Sequence, residues 1–125
     1  MENTKSPTIL VVEDDSSNIV YLTYMLKRLN IDYQSVYSGP EALNVIESIN
    51  PTLMLIDISL TEEMSGIDLM KELNANDAFM NIPKIAMSAH ITAETKDDYI
   101  GSGFTDCLKK PYTLDDLTYI INKYS

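Results

Sequence analysis

The run Thr-Leu-Met-Leu-Ile-Asp (52–57) places a carboxylate directly after an unbroken apolar stretch. Such a stretch reads as a strand covered on both faces, the kind found in the middle of a parallel sheet. A second run, Thr-Ile-Leu-Val-Val (8–12), is rich in β-branched residues and stops at Glu13-Asp14-Asp15. Two buried strands that both end in acid suggest one acidic pocket along one edge of a sheet. Like charges crowded there repel, so the pocket must hold protons or a cation. A hard divalent ion with oxygen ligands is the simplest answer.

Working outward, residues 14–17 offer helix caps. The spacing of Ile19, Leu22, Met25, Leu26 and Leu29 predicts a helix ending near Asn30. Residues 31–37 read as an outer strand. Ser38-Gly39-Pro40-Glu41 fits an S-x-x-E capping box, and Ala42, Leu43, Ile46 and Ile49 give the following helix its apolar face up to Asn50-Pro51. After Asp57 a loop leads to a helix over 66–73, with Ile67, Met70 and Leu73 inward. A strand over 84–87 closes at Ser88. Residues 92–100 read as a helix with few apolar positions, broken by Gly101-Ser102-Gly103. A fifth strand over 104–108 runs into Lys109-Lys110-Pro111, and a last helix opens at 113–116, with Leu117, Ile120, Ile121 and Tyr124 inward. Five strand–helix repeats predict an α/β fold: a doubly wound parallel sheet with helices on both faces. The common five-strand order, 2-1-3-4-5, gathers the strand-end residues Glu13, Asp14, Asp57, Ser88 and Lys110 on one rim, where ligands bind in such sheets.

The bulk properties narrow the function. The 125 residues suit one domain, 1–125, with a core of about 8–123 and a polar N-terminal tail, 1–7. A net charge of −10, with Arg28 the only arginine, argues against direct nucleic-acid binding. The lone Cys107 excludes an internal disulfide and suits a reducing compartment. No apolar stretch approaches the length of a membrane span, so a soluble, cytoplasmic protein without membrane contact is expected.

The pieces ILVVEDD (9–15), LMLIDISL (53–60), MSG (64–66), IPKIAMSA (82–89) and LKKP (108–111), in this order and spacing, resemble the receiver domain of two-component response regulators, in its single-domain, chemotaxis-regulator-like form. The resemblance implies the flavodoxin-like (βα)5 fold. It implies that Asp57 accepts a phosphoryl group from a histidine kinase or a histidine phosphotransfer protein. It also implies Mg2+ (or Mn2+) held by Asp14, Asp57 and the backbone carbonyl of Ser59, with Glu13 acting through a water. Lys110 is expected to pair with Asp57 and then with the phosphoryl oxygens, and the Ser88 hydroxyl to bond the phosphoryl group. A cis bond before Pro111 is expected. Such a domain is a signalling phosphoacceptor, catalysing at most its own phosphotransfer and dephosphorylation. Its output is altered binding of a downstream protein by the face of the fourth helix, fifth strand and fifth helix.

Three features depart from the family pattern. The loop 57–66 is one residue longer than usual, lacks the customary proline, and carries Glu62 and Glu63. Cys107 stands where the family has a Tyr or Phe that reports phosphorylation by swinging inward. Ser59 and His90 occupy variable positions that tune phosphoryl lifetime in similar receivers. Taken singly, each site residue has an ordinary reading: Asp15 as a helix cap, Lys110 as a surface charge, Ser88 as a turn residue, Cys107 as a small core residue. The alternative function is a pseudo-receiver that binds partners without taking phosphate. A haloacid-dehalogenase-type hydrolase would need an Asp at position 59, and flavin binding would need a phosphate loop where 13–15 are acidic. A free-standing regulator and one section of a longer protein, such as a hybrid histidine kinase, both fit this sequence.

Overall fold

The structure, a computed structural model, describes residues 8–60 and 64–125. Its elements alternate strictly: β1 (Thr8–Val12), α1 (Ser16–Arg28), β2 (Asp32–Val36), α2 (Gly39–Ile49), β3 (Leu53–Asp57), α3 (Gly66–Asn74), β4 (Lys84–Ser88), α4 (Ala93–Gly101), β5 (Asp106–Lys109) and α5 (Leu114–Tyr124). All strand pairs are parallel, in the order β2-β1-β3-β4-β5. The expected topology is therefore the observed one.

Side-chain alternation along the strands divides the core in two. Ile9, Val11, Leu53, Leu55, Ile85 and Met87 face α1 and α5, where they meet Leu22, Leu26, Leu117 and Ile121. Leu10, Val12, Met54, Ile56 and Ala86 face α2 and α3, against Ala42, Ile46, Leu69 and Leu73. Every residue of β3 and β4 is buried, whereas β2 alternates at the sheet edge. Each fully buried aliphatic side chain contributes about 1.5–3 kcal/mol. Among the described residues, α4 buries no side chain, and no helix is long and apolar enough to cross a membrane.

The sheet ladder continues one residue beyond the strands at the rim that matters. The Glu13 N–H donates to the Val36 carbonyl at 3.0 Å, Ile58 N–H to Met87 at 3.0 Å, and Lys110 N–H to Ser88 at 2.8 Å. The register sets Val12 beside Ile56 and Asp57 beside Met87. Backbone hydrogen bonding thus fixes the bases of Glu13, Asp57, Ser88 and Lys110 before any side chain interacts.

Local chemistry explains the boundaries. Asp15 caps α1 through the N–H groups of Ser17 and Asn18. Reciprocal capping boxes start α3 (Ser65/Asp68), α4 (Thr92/Thr95) and α5 (Thr113/Asp116). The expected box at α2 is only half formed. Ser38 accepts from Glu41 N–H, but the Glu41 carboxylate reaches back to Tyr37 N–H at 2.7 Å, tying the helix to the end of β2. Asn30 and Asn50 end α1 and α2 with φ of 60° and 50°, a conformation asparagine tolerates better than most residues. β5 begins at Asp106, later than the apolar pattern suggested, because Phe104 is buried in the preceding turn rather than in the ladder.

Candidate functional site

β1 and β3 deliver three carboxylates to one point. Ligand oxygens of Glu13, Asp14 and Asp57 all lie within 4.8 Å of one another. Glu13 and Asp57 are 1% and 2% exposed, and Asp14 is half-buried. Across from them, the Lys110 ammonium lies 3.2 Å from Glu13 Oε1 and 3.2 Å from Asp57 Oδ2. The other Asp57 oxygen, Oδ1, accepts from both the backbone N–H and the hydroxyl of Ser59, each at 2.9 Å. Glu13 Oε2 accepts from Asp15 N–H at 3.2 Å.

The two buried carboxylates divide the work of holding charge. Burial drives Glu13 up to about 7, helped by its contact with Asp57 and only partly opposed by Lys110. Burial also pushes Asp57 upward, but the hydrogen bond with Glu13, the two Ser59 donors and the Lys110 charge outweigh it and hold Asp57 below the usual carboxylate range. A proton shared by the pair therefore favours the Glu13 side and leaves the negative charge on Asp57. Tyr112, buried beside this pair, has its phenol pushed up by burial and then by the Glu13 charge, so it stays neutral.

Three clustered carboxylates facing one ammonium leave an excess of negative charge in a place with little water. Every donor in the cluster is a hard oxygen, the set that suits Mg2+ or Mn2+ rather than zinc. The residues present fit such an ion.

Of the site residues expected from the sequence, Glu13, Asp14, Asp57, Ser59 and Lys110 come together. Ser88 arrives on the same rim, with its backbone carbonyl held by Lys110 N–H, but its hydroxyl is engaged by His90 N–H at 3.0 Å. The Lys110–Pro111 bond is cis. Glu62 and Glu63 lie outside the described residues. Cys107 is half-buried, and its thiol is pushed up by burial and by Asp106 against the pull of Lys96.

Gly66 closes the Met-Ser-Gly stretch 64–66, but its role is visible only in three dimensions. A Cβ there would sit 2.7 Å from the Asp57 carbonyl oxygen and 3.1 Å from Ile58 Cα. The glycine lets the start of α3 press against the backbone that carries Asp57. Tyr112 and Tyr21 likewise show their contact only in the folded chain. They stand in a turn and on the outer side of a helix, where no periodicity marks them.

Comparison with known proteins agrees with this geometry. The family model "response regulator receiver domain" matches residues 9–122. The aerobic respiration control sensor protein ArcB of Escherichia coli (strain K12) is 29% identical over 117 residues. That match takes in 93% of this chain but 15% of ArcB, so the chain spans a small part of the length of that curated relative. The Francisella response regulator 1452 receiver domain is 30% identical, with a TM-score of 0.85, covering 94% of this chain and 95% of that one. The receiver domain of sensor histidine kinase PA1611 from Pseudomonas aeruginosa PAO1 is 25% identical, with a TM-score of 0.86 and coverage of 96% and 98%. Its structure has a magnesium ion coordinated in the active-site cleft. With the family model matching nearly end to end and the strand order and acidic rim in agreement, the chain belongs to the response regulator receiver domain family of two-component signalling.

Proposed function

We propose that Asp57 is the phosphoacceptor of this receiver, taking a phosphoryl group from a phosphohistidine on a histidine kinase or histidine phosphotransfer protein and changing the binding of a downstream protein in response. The observation that carries this reading is the contact of one ammonium, Lys110, with both buried carboxylates at 3.2 Å inside an acidic trio. With Oδ1 of Asp57 held by two Ser59 donors, Oδ2 is the oxygen directed at the incoming phosphorus. The O–P bond forms as the P–N bond to the donor imidazole breaks, and the imidazole leaves with its electron pair and takes up a proton. Lys110 stabilises the negative charge on the transferring oxygens. Asp14, Asp57 and the Ser59 carbonyl would hold Mg2+, with Glu13 acting through a water. When bound, the ion offsets repulsion between the nucleophile and the phosphoryl oxygens. The Ser88 hydroxyl, now accepting from His90 N–H, turns to donate to the phosphoryl group. That movement draws in the segment leading to α4, the helix with no buried residue, and shifts the partner-binding face.

The test is incubation with a small phosphodonor and Mg2+, followed by intact mass. A phosphate-sized gain is expected in the wild type, and none in Asp57→Asn or in excess chelator. An unmodified wild type would instead support the pseudo-receiver, a pure interaction module. Labelling that persists in Asp57→Asn would place the acceptor elsewhere.

A further inference from the structure

Lys110 does its work at the end of a four-carbon stem, and such a stem aims well only if its backbone is fixed. One side of that backbone is fixed by the sheet, through Lys110 N–H and the Ser88 carbonyl at 2.8 Å. The other side leaves the sheet through Pro111 and Tyr112, in a turn without ladder partners. There the Tyr21 hydroxyl, from α1, donates to the Tyr112 carbonyl at 2.6 Å. The two rings also pack, with centroids 5.5 Å apart and planes tilted by 53°. Tyr112 is buried, while Tyr21 is 46% exposed. Tyr21, Tyr112, Pro111, Lys110, Asn18 and Ala89 line a small cavity of about 210 Å³. The turn therefore has space beside it to relax into once the tether is lost.

We infer that Tyr21 is a positioning residue for phosphoryl binding: its hydroxyl, through the Tyr112 carbonyl, fixes the turn that aims the Lys110 ammonium at Asp57. This rests on the phosphoacceptor reading above. Tyr21 acts through the Tyr112 carbonyl and the Lys110 turn. Its loss therefore has a signature different from a general loosening of the site. Glu13 and Asp14 follow β1 and Asp57 ends β3, so none of the carboxylates lies on the turn that the tether holds, and a loosened ammonium repels a divalent cation less.

The experiment measures two affinities, for Mg2+ alone and for beryllofluoride in saturating Mg2+, the latter serving as a phosphoryl mimic. The proteins are the wild type, Tyr21→Phe, Lys110→Ala and the double variant. Tyr21→Phe keeps the ring contact and removes the hydrogen bond. It is expected to weaken beryllofluoride binding by about 3- to 10-fold, the range one partly buried hydrogen bond supports. Its Mg2+ affinity should be equal to or tighter than that of the wild type. In the Lys110→Ala background the same change should cost nothing further. An unchanged beryllofluoride affinity in Tyr21→Phe overturns the inference, as does an equal loss in both backgrounds or a parallel loss of Mg2+ affinity. A wild type that binds no beryllofluoride overturns the phosphoacceptor reading itself, and the unmutated protein alone reveals that outcome.

Discussion

Glu13 and Asp57 are both buried but shift in opposite directions: the hydrogen bond between them raises Glu13 and lowers Asp57, and the two Ser59 donors deepen the lowering of Asp57. A cation competes with the proton held near Glu13, since oxygen ligands bind metal in their deprotonated form. Mg2+ affinity is therefore expected to fall as the pH drops through about 7, approaching a tenfold loss per pH unit below it for one displaced proton. Glu13→Gln should flatten that dependence between pH 6 and 8 while weakening binding at pH 8; isothermal titration at several pH values checks both. A wild-type affinity that is flat across this window would show that Glu13 carries no competing proton. Glu13, Asp14, Asp57, Ser88 and Lys110 are legible because each stands where an apolar run stops. The proton's preference was not legible, since it depends on donors that approach across space.

The junction of β3 with α3 illustrates how elements are held to the site. A Cβ at Gly66 would meet three backbone atoms, which cannot step aside, whereas a Cβ at Gly39 would meet only the side chain of Met64. Gly66→Ala is accordingly expected to destabilise by about 1–3 kcal/mol, as overpacking does, and to slow phosphorylation of Asp57 by moving its carbonyl. Gly39→Ala should cost less and leave phosphorylation near wild type. Denaturant midpoints and the rate with a small phosphodonor compare the two; equal costs would refute the distinction. The helices were readable from apolar spacing and caps, although Leu69 turned out to be buried beside the expected Met70 and Leu73. α4 is sparsely apolar in sequence, and it buries no side chain. The half-formed box of α2 shows the limit of such motifs: the Glu41 carboxylate accepts from Tyr37 N–H, which joins helix to strand, instead of closing the box on Ser38.

Stability of the whole domain responds to pH through two buried groups with opposite signs. Glu13 ionises near 4.5 when unfolded and near 7 when folded. The folded state holds the extra proton between those values, and this group's contribution falls as pH rises through that window. Lys84 is the reverse case. It is 1% exposed, with its ammonium donating to the carbonyls of Phe79 and Ile82 at 2.7 and 2.8 Å, and burial lowers it from 10.5 to about 8. Between these values the unfolded chain binds the extra proton, so Lys84 contributes stability that grows as pH rises from about 8 towards 10.5. The gain is on the order of 2 kcal/mol, less than burial alone implies because the two carbonyl bonds favour the charged form. Lys84→Met should remove this rise relative to wild type, as read from denaturant midpoints at pH 7.5 and 10; parallel profiles would rule it out. A lysine that opens a strand carries no mark of burial in its neighbours along the chain. By itself the sequence determined the alternation of elements, the parallel sheet, its strand order and the acidic rim, because periodicity, caps and strand ends are local properties that connection rules assemble in few ways. Only the tertiary structure decided that Lys110 reaches Glu13 as well as the expected Asp57, that Tyr21 holds the turn behind it, that Gly66 must stay bare and that Lys84 lies in the core. The Lys110 bridge and the Tyr21 tether join segments distant along the chain, while Gly66 and Lys84 are constrained by nearby backbone that folds against them; all four are set by packing and burial, which apolar periodicity does not register.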